Sequence, residues 1–250
     1  MLGAIAAAVL MTLAPPPAQA VEFKPVAPEN LLVIDTTKGR ILIEMRPDAA
    51  PLHVERVREL AREGYYDGAL FYRVIDNYMA QGGDRSPTGR FTSDKPNLKA
   101  EFTIPAAPAD VEWLGASPLK RNADGIAYGR FCAGTASFAH YEDPDTANSQ
   151  FFLMRAASDF LERKFTVWGR VVVGLDVVRR LNVGEPPANP DVMTRVRAAA
   201  DLPEAERPTV EIADTSSPGF RREVEKARKA AEKAGRPFSL CDVETPVRVR

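Results

Sequence analysis

The stretch FYRVIDNYMAQGGD, residues 71–84, is the most informative part of the chain. Apolar and polar residues alternate where it begins, which predicts a β-strand with Phe71, Arg73 and Ile75 on one face. Arg73 therefore stands on a largely apolar face, where a charged side chain needs a partner or a chemical task. Gln81 is followed at once by two glycines, which allow the chain to turn closely behind it. This arginine and this glutamine are the first candidates for functional residues.

Short strand patterns recur on both sides of this stretch. Residues 31–45 contain two alternating apolar runs around a glycine-containing turn, which predicts a β-hairpin. Apolar residues at helical spacing predict a helix over residues 50–64 and a short one over 174–181. Further strands are predicted over residues 99–104, 132–139, 151–154, 165–173 and 208–214. About eight strands with few, short helices favour a mainly β fold in the form of a closed antiparallel barrel.

The predicted barrel domain covers residues 30–214 and is flanked by other segments. Residues 21–29 contain two prolines and are expected to form a linker. Two proline-rich stretches, residues 105–130 and 183–207, are expected to be irregular insertions in the domain. Residues 215–250 are expected to form a C-terminal tail with a solvated, net-basic helix.

The first twenty residues, MLGAIAAAVLMTLAPPPAQA, contain no charged residue. Their apolar run, residues 2–14, is too short to span a bilayer comfortably. Ala18-Gln19-Ala20 matches the small-x-small pattern of a signal-peptidase site, although no Lys or Arg precedes the apolar run. Residues 1–20 are therefore predicted to be a signal peptide, which places the protein in the periplasm without stable membrane insertion after cleavage. A disordered apolar N-terminus or an uncleaved anchor is the alternative.

Composition and missing motifs exclude several classes of function. The 33 Lys and Arg residues nearly balance the 34 Asp and Glu residues, so no pull toward nucleic acid is expected. The sequence contains no phosphate loop, no dinucleotide-binding glycine motif, and neither the HExxH nor the CxxC spacing of a zinc site. It has two histidines in all. We therefore predict neither a metal site nor a cofactor.

The chain has two cysteines, Cys132 and Cys241. In an oxidising compartment such a pair can be bridged, but two separate buried thiols are an equal alternative at this stage. A bridge would fasten the C-terminal tail to the barrel.

Three motifs, in order along the chain, resemble the cyclophilin family. Residues 71–84 resemble the family pattern F-x-R-[VI]-I-x-x-[FY]-M-x-Q-G-G-D. SQFF at residues 149–152 resembles the second family signature, and FTVWGRVVVGLDVV at residues 165–178 resembles the third. The resemblance implies a peptidyl-prolyl cis–trans isomerase on a closed eight-stranded antiparallel barrel capped by two helices. In this chain we expect an extra C-terminal helix and, given the predicted signal peptide, a bacterial exported member.

The resemblance also implies roles by position. Arg73 falls on the catalytic arginine of the family, and Gln81 and Phe152 complete the implied catalytic set. The residues implied to bind substrate, as walls of a proline pocket or partners of the substrate backbone, are Tyr78, Met79, Ala139, His140, Gln150, Phe160, Leu161 and Phe165. The implied partners are proline-containing segments of client proteins, and a monomer is the usual form of the family. Aromatic residues that differ from those of many members, above all Phe160 in place of Trp, imply weak cyclosporin binding.

The chemistry of this reaction explains why the chain can lack the usual catalytic groups. Rotation about an X-Pro bond crosses a barrier of about 20 kcal/mol because it breaks amide resonance, but no bond to another atom forms or breaks. The enzyme needs an apolar socket for the pyrrolidine ring and a donor aimed at the twisted amide. An arginine suits this task because it stays charged and presents several donors in a rigid fork.

A second function, of another class, stays open. The chain could be a cyclophilin-like peptide-binding module or chaperone with little catalysis, for which the 105–130 insertion and the C-terminal tail leave room. Arg73, Gln81 and Phe152 favour the isomerase. An isomerase assay on the purified protein separates the two hypotheses.

Overall fold

The computed structural model describes residues 20–86, 88–89 and 92–250. The signal-peptide prediction falls on residues 1–20, and residues 1–19 of it lie outside the described residues. The α-helices in the described part are α1 (Pro51–Arg62), α2 (Leu175–Arg180) and α3 (Pro218–Lys233). The strands are β1 (Phe23–Pro25), β2 (Leu31–Thr36), β3 (Gly39–Met45), β4 (Ala69–Leu70), β5 (Arg73–Ile75), β6 (Met79–Gly82), β7 (Trp113–Leu114), β8 (Ser117–Arg121), β9 (Ala127–Gly129), β10 (Thr135–Phe138), β11 (Phe151–Met154), β12 (Val167–Val173), β13 (Val192–Ala198), β14 (Val210–Ala213) and β15 (Val247–Val249).

The main sheet differs in closure and strand number from the predicted barrel. In the described residues it contains nine strands in the order β4-β13-β2-β3-β12-β10-β11-β6-β5, and each neighbouring pair is antiparallel. The order is open, with β4 and β5 at its ends, so the prediction of a closed eight-stranded barrel is corrected to a curled, open, nine-stranded sheet. One cause of the difference in strand number is β4. It has only two residues, and the sequence pattern does not separate it from the stretch that follows. The Leu70 N–H donates to the Asp84 carbonyl (2.7 Å), which draws β4 toward the chain that leaves β6.

Two helices pack against this sheet, as predicted. Helix α1 begins at Pro51, whose fixed φ and missing N–H suit a first helical turn. It buries Val54, Val57 and Leu60, which recur at helical spacing and join the main hydrophobic core. Helix α2 adds Val177 to the same core.

A second sheet, in the order β1-β14-β15, covers the outer face of β2 and β3. Its residues Val210 and Ile212 pack against Leu31, Val33 and Leu42. This explains why β2 and β3 are apolar on both faces rather than on one. Residues 21–29, which were expected to be a linker, contain β1. The strand predicted over residues 208–214 is present as β14, but it lies in this second sheet and not in the main one.

The stretch 183–207 is not an irregular insertion throughout, because it contains β13. This strand pairs with β2 and β4 near one end of the main sheet. Its register shifts between Met193 and Arg195, so two successive residues break the alternation of inward and outward side chains. The strict period of two that a sequence pattern detects is therefore missing.

The stretch 105–130 is also more regular than predicted. It contains a three-stranded antiparallel sheet, β7-β8-β9. Its β7-β8 turn is held to β3 by Glu44, whose carboxylate accepts from the Ala116 N–H (2.7 Å). The strand predicted over residues 99–104 is wrong; the pairing observed there is a single bridge between Ile104 and Ala127.

The C-terminal segment is packed against the rest of the chain. Helix α3 has Ser217 as its N-cap, with the hydroxyl accepting from the Phe220 N–H (3.2 Å), and buries Phe220 edge-on against Trp113. Cys132 and Cys241 form a disulfide with a Cα–Cα distance of 5.1 Å. Within residues 20–86, 88–89 and 92–250, no helix has the length and apolar character needed to cross a membrane.

Candidate active site

Sheet register places three of the predicted site residues in one row. Arg73 on β5 lies opposite Gln81 on β6, and Gln81 lies opposite Phe152 on β11. Residues directly opposite each other in an antiparallel sheet point to the same face. Their sequence neighbours Val74, Ala80 and Leu153 point to the other face and belong to the main core. The row therefore lies on the outer face of the sheet.

A second apolar cluster covers this outer face. Met79 lies two residues before Gln81 and so shares its face. It packs with Phe152 and Leu161, and all three side chains are buried. Phe131 stacks on Phe152 with ring centroids 6.2 Å apart. The apolar face around Arg73 is thus separate from the main core.

A cavity of about 160 Å³ opens between this apolar cluster and Arg73. The nine residues that line it are Arg73, Tyr78, Met79, Gln81, Ala139, His140, Phe152, Leu161 and Phe165. All nine are among the eleven residues that the sequence indicated. The cavity has an apolar floor and a rim that carries one cation and one amide.

Among the residues that the structure describes, the Arg73 guanidinium has two hydrogen-bond partners. Its Nε donates to Glu185 (2.6 Å), and its Nη1 donates to the Gln81 side-chain oxygen (3.4 Å). The Arg73 side chain is 39% exposed, so the group lies at the cavity rim rather than in the protein interior. The charge on an apolar strand face therefore has both a partner and access to whatever occupies the cavity.

A polar network extends from Gln81 away from this cavity. The Gln81 amide N–H donates to the Tyr72 hydroxyl oxygen, and the Tyr72 hydroxyl donates to the Gln150 side-chain oxygen. The Gln150 amide donates in turn to the Gly89 carbonyl (2.8 Å). Burial raises the pKa of Tyr72 above its usual value, so its hydroxyl stays protonated and can donate. Tyr72, Gln81 and Gln150 also line a neighbouring cavity of about 260 Å³.

Part of the cavity lining is aromatic. The His140 ring lies tilted against Phe165 with centroids 4.5 Å apart. Its two nitrogens lie 2.6 Å and 2.7 Å from the backbone carbonyl oxygens of Tyr141 and Lys164. Phe160 does not line the cavity; its side chain is 72% exposed, and the Lys164 ammonium lies 3.5 Å from its ring centroid.

The structure thus brings together most of the predicted residues and adds two. Nine line the cavity, Gln150 lines the adjoining one, and Phe160 stands outside on the surface. Tyr72 and Glu185 were not predicted. The alternating pattern placed Tyr72 on the face opposite Arg73, but residues 71–72 lie between β4 and β5 and do not follow strand alternation. Glu185 is 112 residues from Arg73 in the sequence, and no local pattern connects them.

The described part of the chain contains no group of three or more His, Cys, Asp and Glu side chains arranged to hold a metal ion. The cavity lining supplies one cation, hydrogen-bond donors and acceptors, and apolar contacts.

Comparisons with known proteins identify the family. A family model described as cyclophilin type peptidyl-prolyl cis-trans isomerase matches residues 31–198. The chain belongs to the cyclophilin family. Its matched part runs from β2 through β13, so β14, β15 and α3 lie beyond it. The activity of this cyclophilin is peptidyl-prolyl cis–trans isomerisation.

Relatives agree with this assignment. A probable peptidyl-prolyl cis-trans isomerase of Brucella suis is 33% identical over 190 residues, covering 70% of this chain and 85% of the relative. A peptidyl-prolyl cis-trans isomerase of Schizosaccharomyces pombe is 35% identical over 150 residues, covering 60% of this chain and 83% of its own. The crystal structure of the cyclophilin AquaCyp293 from Hirschia baltica has 31% identity and a TM-score of 0.78, and the match covers 91% of this chain and 93% of that one. A Cryptosporidium parvum cyclophilin, solved in the presence of the dipeptide Ala-Pro, has a TM-score of 0.54 and 19% identity, and the match covers 67% of this chain and 98% of that one.

Proposed function

We propose that this cyclophilin rotates X-Pro bonds with Arg73 as the hydrogen-bond donor to the twisted amide. The observation that carries the proposal is the position of Arg73 at the rim of an apolar cavity, beside Gln81. As the C–N bond rotates, the prolyl nitrogen becomes pyramidal and gains a lone pair that can accept a hydrogen bond. The planar ground state does not offer that lone pair. A donor placed here therefore stabilises the transition state more than the bound peptide.

The remaining side chains divide the work of holding the peptide. Met79, Phe152 and Leu161 form the apolar floor on which a pyrrolidine ring would rest. Gln81 and Gln150 each have an amide that can donate and accept, which suits them to fix the peptide backbone on one side of the rotating bond. Ala139 and His140 follow the end of β10 and line both adjoining cavities, in position for an extended peptide.

The substrate class follows from this arrangement. We propose that proline-containing segments of client proteins bind in an extended form across the two adjoining cavities. A Cryptosporidium parvum cyclophilin was solved in the presence of the dipeptide Ala-Pro, which supports this substrate class. Phe160 stands where many family members have Trp, and its side chain is exposed and does not line the cavity. This supports weak cyclosporin binding.

We further propose that the protein is exported to the periplasm of a bacterium, where it acts as a monomer on exported clients. The uncharged apolar run and Ala18-Gln19-Ala20 support a cleaved signal peptide. The Cys132–Cys241 disulfide suits an oxidising compartment. The test is N-terminal sequencing of protein recovered from a periplasmic extract: an N-terminus at Val21 is expected, and one at Met1 contradicts the proposal.

Replacing Arg73 tests the catalytic assignment. We expect Arg73→Ala to lose most of the turnover of a proline tetrapeptide, at least about tenfold in kcat/KM, because one transition-state donor is removed. Circular dichroism should show that the variant remains folded. Turnover is measured by a protease-coupled assay at low temperature.

Arg195 offers a matched control for this substitution. Its side chain is also 39% exposed and donates to a glutamate, Glu206, at 2.6 Å, but it lies on β13 away from the cavity. Arg195→Ala should keep turnover within about twofold of the wild type. Equal turnover in both variants would remove Arg73 from the mechanism. A wild-type rate no higher than the uncatalysed one would instead favour the peptide-binding module.

A further inference from the structure

Glu185 contacts the candidate catalytic arginine from outside the cavity. Its carboxylate accepts from Arg73 Nε at 2.6 Å, yet Glu185 is not among the residues that line either adjoining cavity. The guanidinium is planar, so a partner fixed at Nε sets the direction in which the two Nη groups point. Nη1 points toward Gln81 at the cavity rim. The contact thus determines which donors the site can offer to a peptide.

The backbone holds Glu185 in place. Gly184, its neighbour, forms a β-bridge with Val74, in which each N–H donates to the other's carbonyl at 2.8 Å and 2.9 Å. Gly184 has φ +156°, and a Cβ there would collide with the Cα of Pro187, so the chain can make this turn only with glycine. Because the bridge already fixes the neighbouring backbone, formation of the ion pair costs little further backbone conformational entropy.

The ends of this loop are anchored as well. Asp191 accepts from the Asn182 N–H at 2.7 Å and from the Thr37 hydroxyl at 2.9 Å. The Asn182 side chain donates to the Asn189 carbonyl at 2.8 Å. The loop between α2 and β13 is therefore closed on itself and tied to the β2-β3 hairpin.

Three other acidic side chains near the site pair with other cations. Asp76 pairs with Arg155 at 3.1 Å. Asp159 and Glu162 both pair with Arg130, at 2.9 Å and 3.0 Å. Glu185 is thus the carboxylate that the fold assigns to Arg73.

We propose that Glu185 is a positioning residue for catalysis: it fixes the Arg73 guanidinium through Nε so that the Nη groups face the prolyl nitrogen. The proposal rests on the role proposed above for Arg73. Glu185 itself touches no substrate atom in this arrangement. Its removal should leave peptide binding nearly unchanged and slow the rotation step, because a mobile guanidinium donates less often in the required direction.

The experiment compares Glu185→Ala with Glu185→Gln in the full-length protein. Exchange NMR on a proline peptide gives kcat and KM separately. We expect Glu185→Ala to lower kcat about fivefold, the size expected for a partly exposed ion pair, with KM within twofold. Glu185→Gln should keep at least half of the wild-type kcat, because its amide oxygen still accepts from Nε.

Glu206→Ala is the matched control, because Glu206 accepts from the equally exposed Arg195 at the same distance. It should leave kcat unchanged. Glu185→Ala should also have no further effect in an Arg73→Ala background, since a positioning residue has nothing left to position.

Three results would overturn the proposal. They are a Glu185→Ala variant as active as Glu206→Ala, a Glu185→Gln variant as slow as Glu185→Ala, and equal effects of Glu185→Ala with and without Arg73. A failure of the Arg73 assignment is recognised separately, because Arg73→Ala alone would then retain the wild-type rate.

Discussion

At the scale of single residues, the site depends on side chains whose partners lie far away in sequence. Nine predicted residues line one cavity because sheet register joins Arg73, Gln81 and Phe152 in a row. The family motifs predicted them because these three residues are part of the motifs. Tyr72 and Glu185 escaped prediction for a physical reason. Tyr72 follows a break in the strand, and Glu185 reaches Arg73 through a loop closure that no local spacing encodes.

The Tyr72 hydroxyl joins the two glutamines that are proposed to hold the peptide. Replacing it by Tyr72→Phe keeps the ring but removes one hydrogen-bond partner from Gln81 and one from Gln150. We expect kcat/KM to fall about fivefold, since a net hydrogen bond contributes roughly 1 kcal/mol. The fall should lie mainly in KM, because these amides bind the ground state and the transition state alike.

Tyr128→Phe is the control for this change, because Tyr128 lies on β9 and lines neither adjoining cavity. It should leave kcat/KM within about twofold of the wild type. If the two phenylalanine variants are equally active, Tyr72 does not link the glutamines in solution.

At the scale of elements, sequence patterns predict the pieces whose periodicity is intact. The β2-β3 hairpin and α1 appear close to where alternation and helical spacing place them. Strand β13 was missed because its register shift breaks the period of two. The three strands in residues 105–130 were missed because two of them are only two or three residues long. In these places tertiary contacts decide the structure, and local propensity does not.

One such tertiary contact is the ion pair between Asp67, in the turn after α1, and Arg197 on β13. Both Asp67 oxygens accept from the Arg197 guanidinium (2.9 Å and 2.7 Å), and one also accepts from the Val196 N–H (2.9 Å). Burial raises the pKa of Asp67, but the hydrogen bonds and charge of Arg197 outweigh it and hold the pKa below its ordinary value. The pair thus fastens β13 to the turn between α1 and β4.

We expect Asp67→Asn to lower the free energy of unfolding at neutral pH by about 1 kcal/mol. The expected loss is modest because both side chains are partly exposed, and solvent screens their interaction. A depressed carboxylate pKa stabilises the fold above the unfolded-state pKa, about 4, and that stabilisation is lost as the pH falls through the folded pKa. The difference between wild type and variant should therefore shrink on acidification. Urea unfolding between pH 7 and pH 3 measures it.

Asp35→Asn is the control, because Asp35 forms a similar forked contact with Arg40 at the surface. Its cost should be smaller, since Asp35 receives no backbone N–H of a neighbouring strand in that contact. A pH-independent loss in Asp67→Asn would mean that the ionised carboxylate contributes nothing at this position.

At the scale of the whole molecule, the C-terminal segment is part of the fold and not an appendage. Strand β14 lies between β1 and β15, so the chain that precedes the family domain and the chain that follows it meet in one sheet. Helix α3 packs Phe220 against Trp113 of the 105–130 stretch. Deleting residues 215–250 would therefore uncover one edge of β14 together with Trp113. Lost activity in such a truncation would not distinguish unfolding from a direct role of the tail in catalysis.

The disulfide offers a cleaner test of this coupling. It joins residues 109 apart and attaches Cys241 next to Phe131, which stacks on the cavity residue Phe152. Closing so long a loop restricts the unfolded chain, so we expect Cys132→Ala/Cys241→Ala to lower the free energy of unfolding by about 2–4 kcal/mol. Below its unfolding temperature the variant should keep kcat/KM within about twofold, because neither cysteine lines either adjoining cavity.

Reduction of the wild-type protein serves as the control, because it breaks the same bond and keeps both sulfur atoms in place. Chemical denaturation with and without reductant should show a loss close to that of the double variant, and mass spectrometry of non-reduced protein should find no free thiol. Identical unfolding midpoints in the two conditions would mean that the disulfide does not stabilise the protein. A large fall in kcat/KM with the fold intact would instead show that the C-terminal segment shapes the cavity wall through Phe131, and the tail would then belong to the catalytic unit as well as to the fold.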